Sequence, residues 1–325
     1  MSRYPLLRAA AAAIAGLLAL PLAASQAVAS PTAGTSQAAP DTTLHSGDRQ
    51  NQALDAYWTP ERMRSAVPAD APRPTGGPSA KDATPAAHGA AARQLAASQA
   101  PLAHDARLQG LNLTPTVGRV FFTDSKGVPR SCSASSVNNP TKNMVVTAGH
   151  CVHGGKGMGW HSKWTYVPAY WNGNAPYGRW SYHYARTFNG WIQKSDFDLD
   201  VAILNLWDNG GRLVDRVGGN GLGVNYGFKQ KVTVWGYPAD PPYNGSRPYY
   251  CQNLTTWKHS KYQVGVGCTM VGGASGGPWL RNYNTSTGLG DVYAVTSRRT
   301  EPPKDIWSPY FDNDIGHLYD QMAHN

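Results

Sequence analysis

The chain is poor in the features that mark membrane, metal and nucleic-acid proteins. After residue 29 no segment reaches the roughly 20 apolar residues that a membrane-crossing helix needs. His153, His161 and His183 stand without cysteine or carboxylate at metal-ligand spacing, so no metal is expected, and no cofactor either. The charge balance is basic, with 29 Lys and Arg against 20 Asp and Glu. That excess favours anionic partners in general. The basic residues are nevertheless scattered, and no basic stripe interleaves with the aromatics, which argues against a nucleic-acid partner. No helix-period run falls within 115–310, and no internal repeat is visible. Cysteine is limited to four residues.

What is present starts with a leader. Arg3 and Arg8 precede an uncharged apolar run at 9–24, and Ala27-Val28-Ala29 supplies the small residues of a cleavage site. Residues 1–29 therefore read as a signal peptide, which implies a secreted, extracellular protein with no membrane association after cleavage. Its cysteines then meet an oxidising environment. Residues 30–108 are dominated by Ala, Pro, Ser, Thr and Gly and cannot offset their ordering entropy, so a largely disordered pro-segment or tether is expected. One island, 53–63, breaks the pattern. Thr59 is placed to cap a helix with Pro60 at its first position, and Tyr57, Trp58 and Met63 have no core of their own, which predicts docking on another surface.

From 109 onward short β-branched and aromatic runs alternate with Gly, Pro and Asn. Strands are expected at 118–122, 133–137, 143–147, 163–170, 179–188, 200–206, 231–236, 263–268, 278–280 and 291–296. The fold class is all-β, an antiparallel sandwich or barrel. Ile315, Leu318, Tyr319 and Met322 fall at helical spacing behind Asp312 and Asn313, predicting a short C-terminal helix at about 313–323. Four cysteines allow three pairings. The pairs Cys132–Cys151 and Cys251–Cys268 are expected, each closing a short loop and contributing roughly 3 kcal/mol in the chain-entropy model.

The chemistry concentrates in Gly272-Gly273-Ala274-Ser275-Gly276-Gly277-Pro278. Glycines allow a tight turn that presents a serine with free N–H groups nearby. A serine hydroxyl is a poor nucleophile until a base takes its proton. His150, at the end of the apolar stretch Met144-Val145-Val146-Thr147, is the candidate base. The base needs a carboxylate on its other nitrogen. Asp200 leads into the buried run 201–204 and is favoured, Asp198 is the alternative on the same face by strand alternation, and Asp196 is further out.

These three stretches, Thr147-Ala148-Gly149-His150-Cys151, Asp200-Val201-Ala202-Ile203-Leu204 and Gly273-Ala274-Ser275-Gly276-Gly277-Pro278, resemble the signatures of trypsin-like (chymotrypsin-fold) serine endopeptidases, in that family's order. Val234-Trp235-Gly236-Tyr237-Pro238 is most similar to bacterial secreted members, including the V8-like glutamyl-endopeptidase group. The resemblance implies two antiparallel six-stranded β-barrels, at about 115–215 and 220–310, with the site in the cleft between them. It implies a monomer acting on protein or peptide substrates, with His150, Asp200 and Ser275 catalytic and the N–H groups of Gly273 and Ser275 as the oxyanion hole. Animal members carry Asp where this chain has Ala274, so their activation switch, a pairing of that Asp with a new N-terminal amine, is not expected. The substrate pocket would include Thr269, Thr296 and Ser297. Thr269 is not an Asp, so selection for Lys or Arg is not expected. Arg298 and Arg299 are candidates to help receive an acidic side chain.

Two rival readings differ in class. Gly273-Ala274-Ser275-Gly276-Gly277 also fits the G-x-S-x-G elbow of α/β-hydrolase esterases, but only His317 and His324 follow the serine and no helix alternation is present. A catalytically silent, protease-like binding protein is the other.

Overall fold

The computed structural model describes residues 40–41, 49–69, 90–100 and 114–325; the leader at 1–29 and the rest of the segment before 114 lie outside the described residues. In chain order the strands are β1 (Pro40–Asp41), β2 (Val67–Pro68), β3 (Arg93–Leu95), β4 (Val117–Thr123), β5 (Pro129–Val137), β6 (Met144–Thr147), β7 (Ser162–Pro168), β8 (Trp180–Phe188) and β9 (Ala202–Leu206). They continue as β10 (Gly221–Val224), β11 (Lys231–Gly236), β12 (Tyr249–Thr255), β13 (Trp257–Lys258), β14 (Gln263–Gly267), β15 (Pro278–Asn284), β16 (Leu289–Val295), β17 (Arg298–Arg299) and β18 (Asp305–Pro309). The helices are α1 (Arg49–Tyr57), α2 (Pro60–Ser65), α3 (Asn189–Lys194), α4 (Leu213–Val217) and α5 (Asn313–Met322). Each of the ten expected strands overlaps one of these. Helices α3 and α4 are not expected from the sequence of 115–310; at six and five residues they are too short to show a period.

Strands β8-β7-β4-β5-β6-β9 pair antiparallel in that order, and β9 pairs back on β8, closing a six-stranded barrel. Side chains alternate along each strand. On β4, Val120 and Phe122 enter the barrel core with Val145, Trp164, Tyr166 and Leu204. Val117 and Phe121, on the opposite face, are buried in a second cluster.

Part of that outer face is covered by the segment before the barrel. Leu54, Trp58 and Met63 pack in the same cluster as Phe121, Val167 and Tyr170. Trp58 is fully buried and its Nε1 donates to the Lys163 carbonyl at 2.6 Å. The Thr59 hydroxyl caps α2, accepting from the Arg62 N–H at 3.2 Å. Each such apolar side chain contributes roughly 1.5–3 kcal/mol on burial, enough to hold a segment without a core of its own. Beyond α2 the chain enters β2, parallel to β5, where the Ala69 N–H donates to Ser131 O at 2.9 Å. Beneath this contact lies Arg119, 1% exposed, donating to Gly245 O, Ser131 Oγ and Ala66 O. Its guanidinium faces the Phe121 and Tyr170 rings, and burial pushes its pKa below the usual arginine value.

In the second half the strands are divided between two sheets rather than one closed ladder. These are a six-stranded sheet, β12-β11-β15-β16-β10-β3, in which β10 runs parallel to β16, and a four-stranded sheet, β13-β14-β18-β17. Two hydroxyls bond backbone groups where the chain passes from one sheet to the other, beside the backbone bonds Thr256 N–H to Gln230 O and Ser297 N–H to Trp307 O. Between β12 and β13 the Thr256 hydroxyl donates to Phe228 O and accepts from the Gln230 N–H. Where β16 would continue onto β18, the Val295 N–H donates to the Ser308 hydroxyl instead of a backbone carbonyl. Helix α5 is capped by Asp312 and buries Ile315, Leu318, Tyr319 and Met322. The all-β class holds, with a closed six-stranded barrel in the first half of the described residues.

Candidate active site

The strand pattern delivers His150 to its place. Apolar β6 ends at Thr147, and residues Gly149–Cys151 form a single 3-10 turn. A disulfide from Cys151 to Cys132 on β5 locks that turn. A second disulfide joins Cys251 and Cys268. His150 is 4% exposed, and its Nδ1 lies 2.8 Å from Asp200 Oδ2.

Asp200 is fully buried and accepts three hydrogen bonds. Its Oδ1 takes the His150 backbone N–H at 2.7 Å, and Oδ2 takes the Ser297 hydroxyl at 2.6 Å in addition to the imidazole. Asp198 does not share this face. Residues Phe197–Leu199 form a 3-10 turn, so strand alternation fails there, and Asp198 accepts from Gln263 instead. Burial pushes the carboxyls of Asp196 and Asp198 above the usual range. Arg298 lies against the Phe197 ring and donates to Gln263. Burial lowers its pKa, and Asp200, Asp198 and Asp196 oppose that shift. It is therefore not the freely solvated charge of a surface loop.

Two successive turns build the serine loop. The Ala274 N–H bonds Val271 O at 3.3 Å, and the Gly277 N–H bonds Ala274 O at 2.9 Å. Gly273 and Gly276 occupy the third position of each turn with φ of +94° and +79°, as a type II turn requires. A Cβ would also sit 2.6 Å from Tyr237 O at Gly273 and 2.0 Å from Thr147 Oγ1 at Gly276. The close approach at Gly276 sets the loop against the end of β6, and the Cys151 sulfur lies 3.7 Å from Ser275 O. Peptides are planar and trans, so a held carbonyl aims the N–H of the next residue the other way. Gly272 O is held by the Ala239 N–H at 2.7 Å, and Ala274 O by Gly277. The N–H groups of Gly273 and Ser275 donate to no acceptor among the described residues.

No hydrogen bond joins Ser275 to His150, and His150 Nε2 is buried without a partner among the described residues. Such contacts are often open before substrate binds. Of the residues expected in the pocket, two have buried, hydrogen-bonded hydroxyls. Thr269 is exposed, Thr296 Oγ1 accepts from Trp279 Nε1 at 2.9 Å, and Ser297 serves Asp200. His161 donates from Nε2 to His150 O at 3.0 Å and stacks on Phe122. Its burial lowers its pKa to about 4, which keeps it neutral. Sequence reasoning had no means to find His161, since only the fold brings it to His150.

No family model matches the chain. Among solved structures, the thermostable serine protease AL20 from an extremophilic microorganism is 30% identical with a TM-score of 0.61, covering 65% of this chain and 99% of its own. The protease Anisep from Arthrobacter nicotinovorans is 32% identical with a TM-score of 0.60, covering 66% of this chain and 98% of its own. The chain belongs to the trypsin-like serine proteases. As such it is a peptide-bond hydrolase acting on protein or peptide substrates. This protease also shares its fold with a Glu endopeptidase, at 13% identity and a TM-score of 0.52. Among curated proteins, an extracellular metalloprotease of Bacillus subtilis (strain 168) is 28% identical over 160 residues, 47% of each chain. The protease thus spans about half the length of that curated relative. Among its own described residues, the group of metal-ligand size is Cys132, His150 and Cys151, and both sulfurs are spent in the disulfide.

Proposed function

We propose that this protease cleaves peptide bonds with Ser275 as nucleophile, His150 as general base and then general acid, and Asp200 as the group that holds the imidazole. The reading is carried by the Asp200 carboxylate, fully buried yet bonded to both the ring and the backbone of His150. A carboxylate in that position keeps a proton on Nδ1, which leaves Nε2 bare to take the serine proton. The tetrahedral oxyanion would be met by the N–H groups of Gly273 and Ser275. Collapse gives the acyl-enzyme and the free amine, and water repeats the cycle. A fluorophosphonate probe is expected to label wild type at Ser275 and to leave Ser275→Ala unlabelled. A wild type that resists the probe in its trimmed form returns the chain to the silent, binding-protein reading.

The protease is further read as a secreted monomer made as a precursor. The leader at 1–29 directs export, and 30–108 is removed. Support comes from the solved relatives, whose matches are about the size of residues 114–325. It comes also from the docked segment. Val67, Pro68 and Ala69 form one wall of a cavity of about 370 Å³ that includes His150, which suits a segment that covers the cleft until it is cut away. N-terminal sequencing of the secreted form, with activity measured before and after trimming, tests this. Equal activity in the two forms overturns the covering role. Ser297 spends its one hydroxyl proton on Asp200, and Thr296, which accepts from Trp279, is a single hydroxyl donor rather than a ring of them for an acidic side chain. A peptide-library digest is expected to show no enrichment of Glu or Asp before the scissile bond.

A further inference from the structure

The serine loop is built from glycine where rigidity is most needed. Gly272 and Gly273 lack side chains that would restrict their backbone, and Ala274 is buried at 1% exposure in an apolar cluster with no polar group to tie down. In animal members of the family the residue at this position is the carboxylate that anchors the loop. Something else must hold it here.

Ser133 touches the loop twice. It is fully buried on β5, next to Cys132, whose disulfide to Cys151 fixes the strand beside His150. Its backbone N–H donates to Ser275 O at 2.7 Å. Its hydroxyl lies 2.8 Å from the Tyr237 N–H and 2.8 Å from Gly273 O. The direction of the second bond is unambiguous. A backbone N–H can only donate, so the Ser133 oxygen accepts from Tyr237 and its single proton goes to Gly273 O. The peptides that follow Gly273 and Ser275 are thus both restrained by one residue of the barrel. Between them lies the peptide whose N–H belongs to Ser275.

We propose that Ser133 is the positioning residue of the oxyanion loop, supplying with a buried hydroxyl the anchor that Ala274 lacks. The proposal rests on the reading of Gly273 and Ser275 as the oxyanion donors. Without the hydroxyl, Gly273 O loses its partner, and the peptide between the two oxyanion donors is held only by the 3.3 Å bond from the Ala274 N–H to Val271 O, so the donors on either side can shift relative to each other although Ala239 and Gly277 still hold their carbonyls. A misplacement of this kind, well short of losing a donor outright, corresponds to roughly 10- to 100-fold in rate.

The experiment compares wild type, Ser133→Ala and Ser133→Thr, each as the active form recovered from a secreting host. Three quantities are measured for each: kcat and KM on a short peptide amide, the affinity of a peptide boronic acid, and the affinity of the matching peptide acid. The boronate forms a tetrahedral adduct that places an oxygen on the oxyanion donors, whereas the acid does not. In S133A, kcat and boronate affinity are expected to fall about 10-fold or more, while KM and binding of the acid stay within about 2-fold. S133T, which keeps a hydroxyl on a strand position that suits a β-branched residue, is expected to recover most of the loss. A fall in thermal stability with kcat and boronate affinity unchanged makes Ser133 a structural residue only and overturns the proposal. Equal losses for boronate and acid overturn it as well. If wild type itself forms no boronate adduct, the reading of Ser275 fails and this proposal falls with it. A wild-type adduct that S133A binds just as tightly sinks this proposal alone.

Discussion

Replacing Asp200 by Asn tests the candidate site at its most constrained atom. The carboxylate takes three donors on two oxygens, and none of it reaches solvent. An amide has one oxygen and one NH2 group. If the NH2 replaced Oδ1 it would face the His150 backbone N–H, which cannot turn round. The amide therefore places its oxygen there and its NH2 at the Oδ2 position. That NH2 then donates to His150 Nδ1, which must give up its own proton. The ring becomes the Nε2–H tautomer, and the atom facing Ser275 is a donor where a base is required. Geometry is kept while the proton is moved, so the expected loss is about 10⁴-fold in kcat with little change in KM. The assay is turnover of a short peptide amide by D200N and wild type across neutral pH, with denaturant melts to confirm that both are folded. A loss of less than about 10-fold would refute the reasoning, since it would mean that the tautomer of His150 does not control the reaction.

The remaining predictions address other parts of the molecule. Trp58→Ala removes a fully buried indole and its bond to Lys163 O; a cost of about 3–5 kcal/mol is expected at the docked segment, read as faster limited proteolysis at Arg62 and Arg64. Ala274→Asp places a carboxylate in an apolar pocket without a counter-charge, and a loss of about 3–5 kcal/mol should appear in denaturant melts. His161 has its pKa lowered to about 4 by burial, against about 6.5 when unfolded. Its contribution to stability is present in full above pH 6.5 and is lost as pH falls towards 4, by about 3 kcal/mol at most. His161→Gln should flatten that part of the stability–pH curve, and an unchanged slope would exclude His161 as its source.

Much of this was legible in the sequence because the signals were local. Short β-branched and aromatic runs between Gly, Pro and Asn marked the barrel strands, the spacing of Ile315, Leu318, Tyr319 and Met322 marked α5, and Thr59-Pro60 marked the start of α2. Features set by contacts between distant residues were not legible. Asp198 read as sharing a strand face with Asp200 because nothing in its neighbours announces the 3-10 turn at Phe197–Leu199. The bond from Ser297 to Asp200 was not foreseen because it spans 97 positions. The division of the second half into two sheets was not legible either, since Thr256 and Ser308, whose hydroxyls bond backbone where the sheets meet, look like ordinary strand residues. The island at 53–63 showed that it needed a surface, but not that its continuation would add a strand beside His150.

Arg119 lowers the cost of releasing the docked segment. While residues 53–69 are in place, the guanidinium is sealed from water and one of its acceptors is Ala66 O, a carbonyl of the segment itself. Departure of the segment removes that acceptor and opens a route for solvent to a cation that has been held dehydrated. Hydration of the charge then offsets part of the unfavourable exposure of apolar surface that follows when Trp58 and Met63 leave. For the segment to return, Arg119 would have to be dried again. If the segment is cut away as proposed, redrying Arg119 is a cost that its return must meet, on top of the ordering of a freed chain end.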